Sequence, residues 1–342
     1  MVDLSVSIGL TIRDSLPGGL LDCNAQDLHG VLGGPTLIEL PGEREASLFV
    51  SILMHGNEDV GLGAIQRVLK ARAGRPLPRA LTLLIGNVEA AAKGRRRTDD
   101  QPDYNRVWPG AESEADTPEA QIMAQVHRRI IDRSAFAAID LHNNTGRNPH
   151  YGVVCTSNPS VLALASFFSQ RVVRFRGLPG TQTASLTGHI PAMTAECGRP
   201  GSAENEAAAA RFVDQVLDLA ELPAEPHANA PLDLFHTLGV VRVKPEVSFG
   251  FGESEAEMCL DPHLDRFNFT SLAAGTAIGR SSHAMPLCVI DEQGRDVATE
   301  FFAVDQGRLR LSKEVTPAML TVDTRVVRQD CLGYLMEKLD HP

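Results

Sequence analysis

The sequence predicts an α/β sandwich with a mostly parallel sheet flanked by helices, followed by a smaller, mostly-β C-terminal region. Three observations carry that expectation. Short, mainly apolar runs, such as 47–54 "SLFVSILM", mark strands buried on both faces by helices. Helical patterns lie between these runs, the order expected of βαβ units. Past residue 222 the helical patterns give way to short strand-like pieces punctuated by Gly, Pro and Asp.

In chain order, 36–40 "TLIEL", 47–54 "SLFVSILM", 80–86 "ALTLLIG", 135–141 "AFAAIDL", 151–156 "YGVVCT" and 190–196 "IPAMTAE" read as strands. The helix in "TPEAQIMAQVHRRIIDR" opens with Thr117 as N-cap, Pro118 at the first helical position and Glu119 in the first turn. A second helix, "SAENEAAAARFVDQVLDLAEL", begins at Ser202 with acids just behind it. The proline-rich stretch 222–232, "LPAEPHANAPL", reads as a linker. It places a boundary near 225, with one domain over 1–225 and a β-rich one over 226–342. The second contains "VVRVKPEVSF", "AMPLCVI", "EFFAVD" and "RLRLS", and is expected to narrow the site, mediate self-association into a homo-oligomer, or both.

Composition sets limits on partners. With 342 residues, 43% of them hydrophobic, the chain has the material for a substantial core. A formal charge of −11 argues against nucleic acid or an anionic membrane as the main partner. Six scattered cysteines without a CxxC pair fit a reducing compartment rather than a disulfide framework. The start, "MVDLSVSIGLTIRDSLPGG", lacks the basic and apolar regions of a secretory leader. No apolar stretch approaches the roughly 18 residues of a membrane span. A soluble cytoplasmic protein is expected.

Chemistry concentrates where the strands end. The run 47–54 finishes in His55-Gly56-Asn57-Glu58, the run 135–141 in Asp140-Leu141-His142, and the run 190–196 in Glu196-Cys197-Gly198. Ligands of open α/β sheets bind outside the carboxyl ends of strands, so all three clusters can meet at one edge. On the first turn of a helix, His55 and Glu58 face one side, and His142 completes a His₂Glu set. With one open position, that set is the arrangement of a catalytic zinc. Asp140 is placed to hold the His142 ring from behind. Glu196 remains as a carboxylate free to take a proton from a zinc-activated water. The loop 86–110 adds Arg95, Arg96 and Arg97 and ends in Asn105-Arg106, a fork and an amide suited to an anionic substrate group.

These motifs carry a resemblance. "HGNE", "GNVEAA…RRR…DYNRVWPG", "DLHNNTG" and "TAECG", in this order, are similar to the succinylglutamate desuccinylase/aspartoacylase family of zinc-carboxypeptidase-like hydrolases. The resemblance covers about the first 200 residues and extends more loosely to "FNFTSLAAGTAIG" in the C-terminal part. It implies one zinc per chain on His55, Glu58 and His142, with Glu196 as general base and then acid. It implies a grip on the substrate's carboxylate by Asn105 and Arg106, with Asn143 a further substrate contact. It also places a carbonyl-polarising arginine in the 95–97 run, for which Arg97 is favoured. The implied reaction is hydrolysis of the amide of a small N-acyl amino acid. One departure bears on specificity. Aspartoacylases place an arginine upstream of the catalytic glutamate, where this chain has "GTQTASLTGHI", with Leu186 at about that point.

Two other readings use the same residues: a carboxypeptidase-like hydrolase of small peptides, and a scaffold that binds metal or ligand without turnover. Other chemistries lack their motifs. "GLGAIQ" has too few glycines for a dinucleotide loop, and there is no GxSxG elbow or P-loop. Cys197 beside Glu196 reads as a buried small residue rather than a nucleophile. His150 and His189 read as surface or packing residues.

Overall fold

The computed structural model describes residues 9–175, 179–227 and 231–339. The leader reading falls partly on 1–8 and the linker reading partly on 228–230; these positions, with 176–178 and 340–342, lie outside the described residues. The chain groups into two compact units. Residues 1–143, 150–172 and 178–232 form the first, while 144–149, 173–177 and 233–342 form the second. The main division falls after Leu232, and two short pieces from earlier in the chain group with the second unit.

Up to residue 196 the strands are β1 (Thr11–Arg13), β2 (Thr36–Leu40), β3 (Leu48–Ile52), β4 (Leu81–Ile85), β5 (Ala137–His142), β6 (Tyr151–Val154), β7 (Arg171–Arg174) and β8 (Ala192–Glu196). The helices are α1 (Leu28–Leu32), α2 (Val60–Ala71), α3 (Val88–Ala92), α4 (Pro118–Asp132), α5 (Pro159–Ser166), α6 (Gln182–Leu186) and α7 (Ala203–Asp218). Within the first unit the strand order is β1-β2-β4-β3-β5-β8-β6. The centre, β4-β3-β5-β8, is parallel, in keeping with its mainly apolar strands. β2 and β6 run antiparallel to their neighbours β4 and β8, so the sheet is mixed.

The alternation of side chains assigns each face. Phe49, Leu84, Ala138 and Ala192 belong to one core with Ile122, Met123, Val126 and Ile130 of α4. Two residues further along the same face come Ser51, Asp140 and Thr194, and two further still His142 and Glu196. One side of the sheet thus changes from apolar to polar toward its carboxyl edge. Helix α2 packs beside α7 and is tied to it by Arg67–Glu206 at 3.0 Å and Arg72–Asp214 at 2.5 Å.

Helix caps follow the sequence closely. Thr117 and Ser202 accept from the backbone N–H groups of Ala120 and Asn205 at the starts of α4 and α7. Helix α7 stops at Asp218, before the expected Leu222. The buried Arg79 guanidinium donates to Leu219 O at 2.7 Å, Ala220 O at 3.0 Å and Ala46 O at 2.6 Å, taking up carbonyls freed at that end.

In the second unit β9 (Asp233–Val243) pairs antiparallel with β13 (Leu287–Ile290) and β17 (Gly333–Lys338), and β17 with β16 (Thr316–Ala318). A five-stranded sheet is built from β10 (Phe249–Phe251), β11 (Met258–Leu260), β12 (Ala277–Ser281), β14 (Phe302–Asp305) and β15 (Arg308–Leu311). The β-rich C-terminal region is therefore present, with short helices α8 (Ala298–Phe301) and α9 (Thr324–Gln329). Among the described residues, no helix is long and apolar enough to cross a membrane.

One surface pair gives this fold a pH signature. Arg129 of α4 forks onto Glu39 of β2 at 2.6 and 2.7 Å, and Arg133 adds a contact at 2.9 Å. The Arg129 hydrogen bonds, outweighing burial, hold the Glu39 carboxyl below its ordinary value. A depressed carboxyl contributes stability above its unfolded pKa of about 4.3 and loses it as pH falls through the lower folded value. Glu39→Gln should cost about 1 kcal/mol in urea denaturation at pH 7, with the gap to the parent closing as pH falls below about 4. A gap unchanged in acid would assign the loss to packing instead.

Candidate active site

The turn after β3 is built to hold its side chains in one place. Leu53 takes a left-handed backbone (φ 55°), which bends the chain out of the strand. His55-Gly56-Asn57-Glu58 then forms a turn closed by Glu58 N–H on His55 O at 3.1 Å. Helix α2 starts only at Val60, so the pair sits just ahead of the helix rather than on its first turn. Gly56 allows this: its N–H donates to Arg96 O at 3.0 Å, and a Cβ there would collide with the backbone of Ala90 and Ala91 in α3.

His55, Glu58 and His142 converge, all buried, with one ligand atom of each within 4.8 Å of the others. Glu58 faces His55 Nδ1 with Oε1 at 2.8 Å and His142 Nδ1 with Oε2 at 2.7 Å. The far nitrogen of each ring meets a second carboxylate: His142 Nε2 lies 2.8 Å from Asp140, as expected, and His55 Nε2 lies 3.0 Å from Asp103. Asp103 was not among the residues singled out from sequence, although it stands two places before Asn105 in "DYNR". Its carboxylate also accepts from Arg96 at 2.8 and 3.1 Å and from Asn105 N–H at 2.8 Å.

Electrostatics at this cluster are strongly shifted. Burial pulls the His142 imidazole down, but Asp140 and Glu58 outweigh it and hold it well above its ordinary value. Burial and Arg96 lower His55, and Glu58 with Asp103 reverse the sign. Glu58 itself, pushed up by burial, is held below the carboxylate range by His55 and His142. Each ring has a carboxylate oxygen at both nitrogens, so two positive charges are wanted on the inner, Nδ1 side. A divalent cation between the Nδ1 atoms and the Glu58 carboxylate meets that demand, with Asp103 and Asp140 fixing the tautomers. The donor set fits a metal.

The three arginines of the loop go three ways. Arg95 is exposed and lies 3.8 Å from Asp99, and Arg97 donates to Gln101 O at 2.6 Å. Arg96 reaches the cluster, 3.8 Å from Glu58 and 9% exposed. Loop geometry rather than composition decides which one points inward. Glu196 ends β8 in register with His142, on the same face, and is 8% exposed.

Asn105 and Asn143 are tied to the framework. Asn105 Nδ2 lies 3.1 Å from Asp140, and its Oδ1 accepts from Gln182 N–H at 3.0 Å. Asn143 Oδ1 accepts from Val60 N–H at the start of α2, its Nδ2 donates to Gly198 O, and its N–H donates to Glu58 at 3.1 Å. Arg106 is half-buried and donates to Asn105 O at 2.8 Å. Leu186 is wholly buried in the α4-side core. His150 Nε2–H donates to Asn205 Oδ1 at 2.8 Å, and the ring stacks on Phe168.

An α/β domain whose strand ends gather a buried His-Glu-His cluster is the fold of the aspartoacylase-like hydrolases. A family model of the succinylglutamate desuccinylase/aspartoacylase catalytic domain matches residues 46–219, just over half of the chain, and the chain belongs to that family, whose members are hydrolases acting on amides. A search of curated proteins returns no match. Among solved structures, the chain is similar to the succinylglutamate desuccinylase of Chromobacterium violaceum at 18% identity and a TM-score of 0.56, covering 87% of each chain. It is similar to a succinylglutamate desuccinylase/aspartoacylase of Rhodobacter sphaeroides at 16% identity and a TM-score of 0.57, covering 88% of each chain. Murine aminoacylase 3 shares the fold at 16% identity and a TM-score of 0.54, with 87% of this chain and 96% of that one covered.

Cys197 sits fully buried beside Glu196, and burial, with Glu196 and Glu58 adding to it, pushes its thiol well above the ordinary range. It should resist alkylation in the native protein at pH 8, detected by mass mapping of iodoacetamide adducts, while reacting once the chain is unfolded. Modification at the rate of a surface thiol would contradict its inert placement.

Proposed function

We propose that the protein is a zinc-dependent hydrolase that cleaves the amide of an N-acyl amino acid or a related small carboxylate-bearing amide. The observation that carries this reading is the convergence of His55, Glu58 and His142, with Glu196 beside them on the same sheet face. His55 and His142 through Nδ1, and Glu58 through its carboxylate, would hold the metal. When bound, zinc supplies a Lewis acid at the scissile carbonyl and brings the pKa of a coordinated water to about 7.

The chain's own groups do the rest. Glu196 takes a proton from the attacking water and returns it to the amide nitrogen as the carbon–nitrogen bond breaks, leaving a carboxylate and an amine. Arg96, rather than the Arg97 favoured by resemblance, stabilises negative charge on the carbonyl oxygen, because it is the arginine that reaches the cluster. Arg106, with Asn105 beside it, receives the substrate's carboxylate. The amino-acid half is not read as aspartate, since the Leu186 position is closed into the core. A cytoplasmic setting belongs to the same proposal, supported by six free cysteines.

Amine release from a panel of N-acyl amino acids, with short peptides included, tests the reading. Zinc-loaded protein should hydrolyse members of the panel, and Glu196→Gln should lose at least ~10²-fold in rate while still binding one zinc. Dialysis against a chelator should abolish turnover, and zinc should restore it. Near-normal turnover by Glu196→Gln would remove its role, and hydrolysis of peptides alone would favour the carboxypeptidase-like reading.

A further inference from the structure

A hydroxyl inside an apolar strand calls for an account. Ser51 is the fourth residue of "LFVSI", a strand in which every residue is buried, and is itself fully buried. Parallel register sets it opposite Asp140 on β5, on the same sheet face. Its Oγ lies 2.6 Å from Asp140 Oδ1 and also touches the amide oxygen of Gln182, the first residue of α6 and likewise fully buried.

Proton counting gives this contact a direction. A serine hydroxyl has one proton, and an ionised carboxylate only accepts. The Ser51 proton therefore goes to Asp140, and the Gln182 amide must present a donor to Ser51. That donor is its NH₂ group, with the amide turned over relative to the orientation that faces oxygen to oxygen. With oxygen facing oxygen, Gln182 Nε2 has no partner and Ser51 receives no donor; turning the amide supplies one. The result is a chain of donors from Gln182 to Ser51 to Asp140, while His142 Nε2–H enters Asp140 from the other side at 2.8 Å.

Gln182 serves Asp140 by a second route. Its backbone N–H fixes Asn105 Oδ1 at 3.0 Å, and this turns Asn105 Nδ2 onto Asp140 Oδ2 at 3.1 Å. Both carboxylate oxygens are thus held by groups that trace to one glutamine. His55 is supported differently, through Asp103 and the charged Arg96.

We propose that Ser51 and Gln182 are positioning residues for the metal ligand His142. They fix the plane of Asp140, which fixes the ring and tautomer of His142 and leaves Nδ1 as its ligand atom, and so set how tightly the metal is held. The inference rests on the zinc reading of the cluster. It goes beyond that reading by assigning part of the affinity to residues that touch neither metal nor substrate.

The test measures the zinc dissociation constant by competition with a chromogenic chelator, and the visible spectrum of the cobalt(II)-loaded protein. It uses the full chain as wild type, Ser51→Ala, Ser51→Thr and Gln182→Met, each checked for fold by circular dichroism. Ser51→Ala and Gln182→Met should weaken zinc binding ~10–100-fold and shift the cobalt bands. Ser51→Thr, which restores the hydroxyl, should recover most of the affinity. Gln182→Met carries the test alone if Ser51→Ala does not fold. Folded variants with wild-type zinc affinity and unchanged cobalt bands would overturn the proposal. A wild-type chain that binds neither ion would instead overturn the zinc reading, and this inference with it.

Discussion

The Glu58 carboxylate is where the demands on this fold meet, because each of its oxygens faces an imidazole from a different part of the chain. Bringing these groups together means removing charge from water, which is unfavourable unless neighbours compensate. Glu58, Asp103 and Asp140 contribute three negative charges at or behind the cluster, and Arg96 returns one. With both imidazoles neutral, as a metal would require, the carboxylates outnumber the cations at the cluster. A bound cation would offset that negative surplus, which agrees with the metal reading.

Much of this was legible in the sequence, and the limits have physical causes. The central strands announced themselves as apolar runs, and their polar endings pointed to His55, Glu58, His142 and Glu196 because a parallel sheet presents its carboxyl ends together. Asp140 was found by its spacing from His142. Asp103 and Arg96 were harder, since both lie in an irregular loop whose path is set by backbone bonds such as Gly56 N–H to Arg96 O. Three consecutive arginines look equivalent in one dimension. Only the turn geometry separates Arg96 from Arg95 and Arg97.

Ser51 and Gln182 were invisible for another reason. A single serine in a buried strand reads as noise until the register shows Asp140 opposite it. Gln182 lies in a short helix with no amphipathic pattern to reveal it. The family resemblance was informative about the edge of the sheet and less so about what fills the space around it. Leu186, for instance, is packed into the α4-side core.

Gly56 has a mechanical consequence. Between His55 and Glu58 stands a residue with no room for a side chain, because the backbone of α3 occupies that space. The turn that carries His55 and Glu58 is therefore packed against α3 with no space for even a Cβ. A methyl group added there would force either the turn or α3 to shift. The middle of the "HGNE" motif is thus a clearance requirement, and the spacing of its first and last residues is guarded by the residue that does no chemistry.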